Sequence, residues 1–276
     1  MKYAQILETL TRTPLLMAPA SADSLLHLFQ AHAALSAEDF KAAREGVDMC
    51  GDKVAMEQMT IEGGIAAIPI NGPLGIRLGK FEKGAGAVDY LDIMRELKEA
   101  QENDAVSAIV LHFDTPGGMF SGLPETADLI ASSDKPIYSY VPAGAMCCSA
   151  GMWLAASTDG IFASQSASVG SIGVYSTFTD MSAMAEARGI KVKLFTSGKY
   201  KGMGVPGTSL SADQETHLQE SVMSMAEDFY NHIRENRSGV PDSAMQGQSF
   251  RAAEAMKNGL VDDVIKEYGE LLSYLK

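Results

Sequence analysis

The chain has 276 residues, of which 46% are hydrophobic and 21% charged, and its formal net charge is −13. That is the composition of a globular protein whose core needs neither a disulfide framework nor a structural metal. The acidic balance excludes nucleic acid as the main partner, because phosphate binding needs a basic surface.

The three cysteines are Cys50, Cys147 and Cys148. An odd count with two neighbours is no secreted disulfide set and fits a reducing compartment. The N-terminus starts with one lysine, but Glu8 and the breaks at Thr11–Pro14 interrupt its apolar run, so it does not read as a signal peptide. No stretch reaches the roughly 18–20 apolar residues of a membrane span. The expectation is a cytoplasmic chain without a membrane anchor.

Along the first 50 residues, Ile6 and Leu10, then Leu25, Leu26, Phe29 and Ala33, fall at helical spacing. This predicts a helical N-terminal arm over 1–55, followed by one larger domain over 56–276. A strand is expected over 65–70, stopped by Asn71-Gly72-Pro73. The Gly-rich stretch 74–86 reads as a loop. Val88, Leu91, Met94 and Leu97 mark a helix, 107–113 a buried strand, 123–130 a helix and 136–141 a strand. A helix through Trp153 follows, then strands over 160–163 and 169–175, a helix over 181–188 and a strand over 192–195. The longest helix is expected over 211–237. Ser211 and Gln214 make a capping box there, and Leu218, Val222, Met225, Phe229 and Ile233 form an apolar stripe. A helix, a Gly cap and a short strand close the chain. The order strand, Gly-rich turn, helix, strand predicts an α/β fold with several crossovers.

Three segments carry candidate chemistry. Asp114-Thr-Pro-Gly-Gly118 breaks a strand and leaves backbone N–H groups open to a ligand. Such donors can hold an oxyanion, although Pro-Gly-Gly is more often only a turn. Ala145-Met-Cys-Cys-Ser149-Ala-Gly-Met-Trp153 puts a serine at the start of a helix, where the dipole and the free N–H groups favour a nucleophile. On position alone, a helix cap is the commoner role of such a serine. If Ser149 caps, replacing it by alanine costs about 1 kcal/mol. Thr196-Ser-Gly-Lys-Tyr-Lys201-Gly carries two lysines, normally solvated. A lysine works as a base only when burial populates its neutral form, so Lys201 is expected to be buried beside the serine.

The combination and its order are more specific than any one part. Asp114-Thr-Pro-Gly-Gly118, Cys148-Ser-Ala-Gly151, Ser168-Val-Gly-Ser-Ile-Gly-Val174 and Ser197-Gly-Lys-Tyr-Lys201 resemble segments of the signal peptide peptidase A (protease IV) family. So does the Ala255-x-x-x-Gly-Leu-Val-Asp262 tail, and the similarity spans about residues 60–265. It implies a crotonase-like fold of ββα units, related to the Clp protease subunit. It implies a serine peptidase with Ser149 as nucleophile and Lys201, 52 residues later (201 − 149 = 52), as base. The N–H groups of Gly117, Gly118 and Ala150 would form the oxyanion hole. The N-terminal arm resembles the phage and prophage members, which are similar to head-maturation proteases that cut scaffold and capsid proteins. Polypeptide substrates and a homo-oligomer follow from the resemblance, and Leu15, Leu16, Leu25, Leu26 and Phe29 are apolar positions that a neighbouring copy or their own domain would cover.

Other chemistries remain in view. His112 is the one histidine near the proposed site and the alternative base. Cys147 and Cys148 are alternative nucleophiles that lack an evident histidine partner. No His-x-x-x-His or Cys-x-x-Cys spacing occurs, so no metal or cofactor is expected. Two further alternatives are a cytosolic signal-peptide-peptidase-like protease of a bacterium and a crotonase-like assembly protein without catalysis. An acyl-CoA enzyme of crotonase type would need the oxyanion groups but no Ser–Lys pair.

Overall fold

The structure, a computed structural model, describes residues 15–17 and 58–275. The helices expected around Ile6 and Leu25, and Cys50, lie outside the described residues.

A six-stranded sheet forms the centre. It contains β2 (Thr60–Glu62), β3 (Ile65–Asn71), β6 (Ala108–Asp114), β8 (Ile137–Val141), β10 (Gly160–Ser164) and β13 (Asp263–Ile265), in the order β13-β10-β8-β6-β3-β2. All neighbours are parallel except β2, which closes one edge antiparallel to β3. Strand β6 reads Ala-Ile-Val-Leu-His-Phe-Asp, a nearly continuous apolar run, as a parallel strand covered on both faces requires. Successive side chains alternate between those faces. Ile109, Leu111 and Phe113 enter the large core. Val110 joins Tyr140, Phe162, Ile265 and Leu271 on the other side. Each fully buried side chain of this kind contributes about 1.5–3 kcal/mol.

After each long strand the chain leaves the main sheet, makes a short strand, and returns through a helix. Strand β4 (Leu74–Gly75) and β5 (Val88–Asp89) lead to α2 (Tyr90–Glu102), β7 (Gly117–Met119) to α3 (Leu123–Ala131), and β9 (Met146–Cys148) to α4 (Ala150–Ala156). The short strands gather in two small sheets, β1-β7-β4-β5 and β12-β11-β9. Here β1 is Leu15–Met17, β11 is Ser168–Gly170 and β12 is Ser249–Arg251. The expected α/β class and repeated ββα unit are both present.

Local chemistry explains most boundaries. Asp89 caps α2 by accepting the N–H of Leu91 at 3.0 Å, and also takes the N–H groups of Arg77 and Leu78. Stretch 74–86, expected as a loop, therefore holds β4 and a short helix α1 (Lys80–Gly84). The cap starts α2 at Tyr90, so its buried face is Tyr90, Ile93, Leu97 and Ala100, while Leu91, expected inside, is 46% exposed.

Two further expectations fail between β11 and the long helix. Strand β11 ends at Gly170 instead of running to 175, because Gly170 and Ser171 take positive φ values of 126° and 53°. The alternating Val192-Lys-Leu-Phe195 forms no strand. It pairs with no strand among the described residues, and Ile190, Val192, Leu194 and Phe195 are 55%, 38%, 44% and 90% exposed. Between them lies α5 (Ser182–Ala187), a helix without a buried residue. Helix α6 (Ala212–Asn236) does carry the Ser211/Gln214 capping box. Only its second half is packed: Ala226, Phe229 and Ile233 are buried, and Leu218, Val222 and Met225 are partly covered. The chain closes with α7 (Ala252–Lys257), β13 and α8 (Tyr268–Tyr274), whose Leu271 covers the second face of the sheet.

Candidate active site

The site grows from the junction of β9 and α4. Thr115, just beyond β6, bridges to Cys147, donating its N–H to Met146 O at 2.7 Å while its carbonyl accepts the N–H of Cys148 at 3.1 Å. Asp114 Oδ1 accepts the N–H of Met146 at 3.1 Å. On its other side β9 pairs in parallel with β11, Cys148 opposite Gly170. The strand is thus held from both sides up to the residue before Ser149.

Ser149 then turns the chain into α4 with φ 56° and ψ −114°, a conformation costing a non-glycine residue about 1–3 kcal/mol. The surrounding bonds enforce it. Its N–H donates to Gly170 O at 2.8 Å and its carbonyl accepts from Trp153 at 3.0 Å. Seven buried residues, Ala-Gly-Met-Trp-Leu-Ala-Ala, anchor the helix that follows. The hydroxyl does not cap the helix. Ser149 is 1% exposed, and its Oγ is buried without a hydrogen-bond partner among the described residues. A buried unpaired hydroxyl costs roughly 1–3 kcal/mol, so the residue carries two local penalties at one position.

The glycines allow close packing here. A Cβ on Gly151 would stand 2.4 Å from Thr115 Cγ2, so only glycine lets the first turn of α4 sit on the Asp114–Gly118 turn. A Cβ on Gly118 would meet the Leu74 carbonyl oxygen at 2.0 Å. Thr115 was not singled out in the sequence. Its Oγ1 donates to Gly72 O at 2.7 Å and accepts the N–H of Gly117 at 3.1 Å. The Gly117 N–H is therefore already engaged. Gly118 lies within β7, opposite Leu74 on one side and Leu16 on the other. Ala150 precedes the first intrahelical donor, Trp153, so its N–H belongs to the unsatisfied first turn.

The structure gathers Ser149, Gly117, Gly118 and Ala150 but does not bring Lys201 to them. Lys201 is exposed, its N–H donates to Gly198 O at 3.0 Å, and its side chain makes no bond to the unpartnered Ser149 hydroxyl. The burial expected for it is absent in the single chain, because residues 173–225 contain no buried residue to pack against it. Lys199 is exposed too, paired with Asp213 at 3.2 Å and lying 4.8 Å from the Tyr200 ring.

The alternatives lose ground on geometry. His112 follows Leu111 on β6 and so faces away from α4, between Tyr268 and Tyr140 with ring centroids 4.4 and 5.3 Å away. Burial pushes its pKa down to about 4. His232 stacks on Trp153 at 4.6 Å, beyond the far end of the helical turn, and its Nε2 lies 3.0 Å from Trp153 O. Burial raises both cysteine thiols, Cys147 well above its usual value, so neither is a ready thiolate. Among the described residues, no group of three His, Cys, Asp or Glu side chains is placed to hold a metal, and no helix is long and apolar enough to cross a membrane.

The site is thus a serine on a strained strand-to-helix turn, next to the Gly117–Met119 strand. Residues 130–272 match the model of Peptidase family S49, and the chain belongs to that family. It is 30% identical over 206 residues to capsid assembly protease C of Escherichia phage lambda, covering 73% of this chain and 46% of that protein. It is 30% identical over 185 residues to a putative signal peptide peptidase SppA of Enterococcus faecium, covering 64% and 52%. It is 27% identical over 222 residues to the head-tail preconnector protein GP5 of Enterobacteria phage P21, covering 79% and 44%. The chain thus spans about half the length of these relatives. Among solved structures, a membrane protease specific for a stomatin homolog from Pyrococcus horikoshii aligns at TM-score 0.41 and 20% identity over 76% of each chain. An enoyl-CoA hydratase/carnitine racemase from Magnetospirillum magneticum aligns at TM-score 0.47 and 12% identity, over 80% of this chain and 73% of that one.

Proposed function

We propose that the chain is a serine endopeptidase with Ser149 as nucleophile and Lys201 as general base. The observation that carries this reading is Ser149 itself: a strained, buried, unpartnered hydroxyl at a helix start in a peptidase-family chain. Such cost persists where a site uses it. Ser149 Oγ attacks the scissile carbonyl and gives its proton to the Lys201 amine. The N–H groups of Ala150 and the Gly117-Gly118 turn hold the oxyanion, Gly117 once it releases Thr115. The amine product leaves with the lysine's proton, and water deprotonated by Lys201 hydrolyses the acyl-ester. No cofactor enters this sequence.

Lys201 needs a cover that the single chain lacks, and a second copy supplies it in this reading. The exposed Ile190, Val192, Leu194 and Phe195 lie a few residues before the lysine and form the surface such a copy would bury. Two relatives are named for phage capsid assembly and head-tail connection. On that ground the substrates are scaffold and capsid polypeptides, cut during head maturation in the cytoplasm of a host cell. The exposure of Lys201 favours a second reading, an assembly protein that has lost catalysis. A fluorophosphonate probe separates the two. Labelling that maps to Ser149 and disappears in Ser149→Ala supports the peptidase, and an unlabelled, correctly assembled protein supports the silent form.

A further inference from the structure

Strand β1 occupies an informative place. Leu15–Met17 runs antiparallel to Gly117–Met119, with Leu15 opposite Met119, Leu16 opposite Gly118 and Met17 opposite Gly117. The other edge of β7 is taken by β4. The edge under β1 is therefore the one on which an extended peptide can add to β7. That strand borders α4 at both ends: Thr115 lies against Gly151, and the Phe120 ring is 5.7 Å from that of Trp153. Travelling from Leu15 to Met17, the segment advances toward the end of β7 that adjoins Cys147 and Ser149. Main-chain pairing to such an edge is how sheets take up polypeptides in general. The glycines opposite it let the incoming backbone lie close.

We propose that Leu15–Met17 is a built-in occupant of the substrate edge, and that cleavage requires its displacement. This rests on the Ser149 peptidase reading for its consequence, but not for its geometry. The occupant is apolar, and Met17 is 5% exposed. The edge accordingly takes extended segments with Leu- or Met-like side chains running antiparallel to β7. Three residues make few main-chain bonds, each worth about 1 kcal/mol net. A matching substrate can displace them, so the inhibition is reversible and competitive.

The test uses the full chain carrying Ser149→Ala, with a fluorescein-labelled peptide Thr-Pro-Leu-Leu-Met-Ala-Pro as probe. Anisotropy should show binding about tenfold tighter or more once Leu16→Asp and Met17→Asp are added, because the open fraction of the edge sets the apparent affinity. The milder Leu16→Ala, Met17→Ala pair should move the same way and serves if the aspartates do not fold. Equal affinity with and without the added substitutions would overturn the proposal. With Ser149 restored, the same substitutions should lower KM for a peptide substrate at unchanged kcat. If affinity rises but fluorophosphonate labels neither form, the self-occupied edge stands and the peptidase reading falls. If Ser149 is labelled and KM does not move, the occupancy is overturned alone.

Discussion

The backbone N–H of Ser149 donates to the carbonyl of Gly170 at 2.8 Å. This bond ties the Ser149 turn to β11 and explains the Ser168-Val-Gly-Ser motif as scaffold. Gly170 is at φ 126°, and a Cβ there would stand 2.9 Å from Gln248 O. Ser171 in turn donates its N–H to Gln248 O at 2.8 Å. The strain at Ser149 is thus held by a chain of bonds reaching the C-terminal part of the chain.

Ser149→Ala should abolish peptide cleavage and fluorophosphonate labelling. Its stability should rise by about 1–3 kcal/mol over the parent, since the buried hydroxyl has no bond to lose and its unpaired state is relieved. Ser149→Gly should exceed Ser149→Ala in stability by about 1 kcal/mol, because glycine relieves the positive φ. Urea denaturation of the three proteins checks the order. An alanine variant weaker by a full cap's worth would mean that the hydroxyl does bond the helix.

Thr115→Val should cost about 1–3 kcal/mol of stability, since both Gly72 O and the Gly117 N–H lose their partner. Thr115→Ser keeps the hydroxyl and should keep most activity. Gly118→Ala should inactivate, because a backbone carbonyl 2.0 Å away has no room to yield. Full activity in Gly118→Ala would remove the Gly-Gly turn from the site.

Lys201→Arg and Lys201→Ala should both be inactive, because guanidinium stays protonated and alanine has no base. Lys199→Ala should keep most of the rate, as its ammonium is exposed and paired with Asp213. Phe195→Asp should shift the protein toward monomer in light scattering and lower activity in parallel. An active Lys201→Ala variant rejects the dyad, and a fully active monomer rejects the shared cover.

Acid should weaken the fold through His112. Unfolded, this imidazole takes a proton near pH 6.5, and folded only near about 4, because burial disfavours its charge. Above pH 6.5 the difference costs nothing. As pH falls from there toward 4, the unfolded state gains the proton first and stability drops, by about 2 kcal/mol allowing for partial exposure. His112→Phe should remove this component from urea midpoints measured across that range. It should leave the peptidase rate intact, since the ring lies on the sheet face away from Ser149.

Local chemistry made much of this protein legible in its sequence. Apolar runs bounded by Gly and Pro marked β3, β6 and β8, the Ser211/Gln214 pair marked the start of α6, and Ser149 among small residues marked the start of a helix. These features depend on neighbours within a few residues, which a sequence displays directly. What depends on distant partners was decided only in three dimensions. The Gly117 N–H is committed to Thr115 because Gly72 orients that hydroxyl. Val192–Phe195 has strand chemistry but pairs with no strand among the described residues. His112 is next to Phe113 in the chain, yet the alternation of β6 turns it to the face opposite Leu111 and Phe113. Leu15–Met17 becomes a strand because β7, a hundred residues on, offers it an open edge.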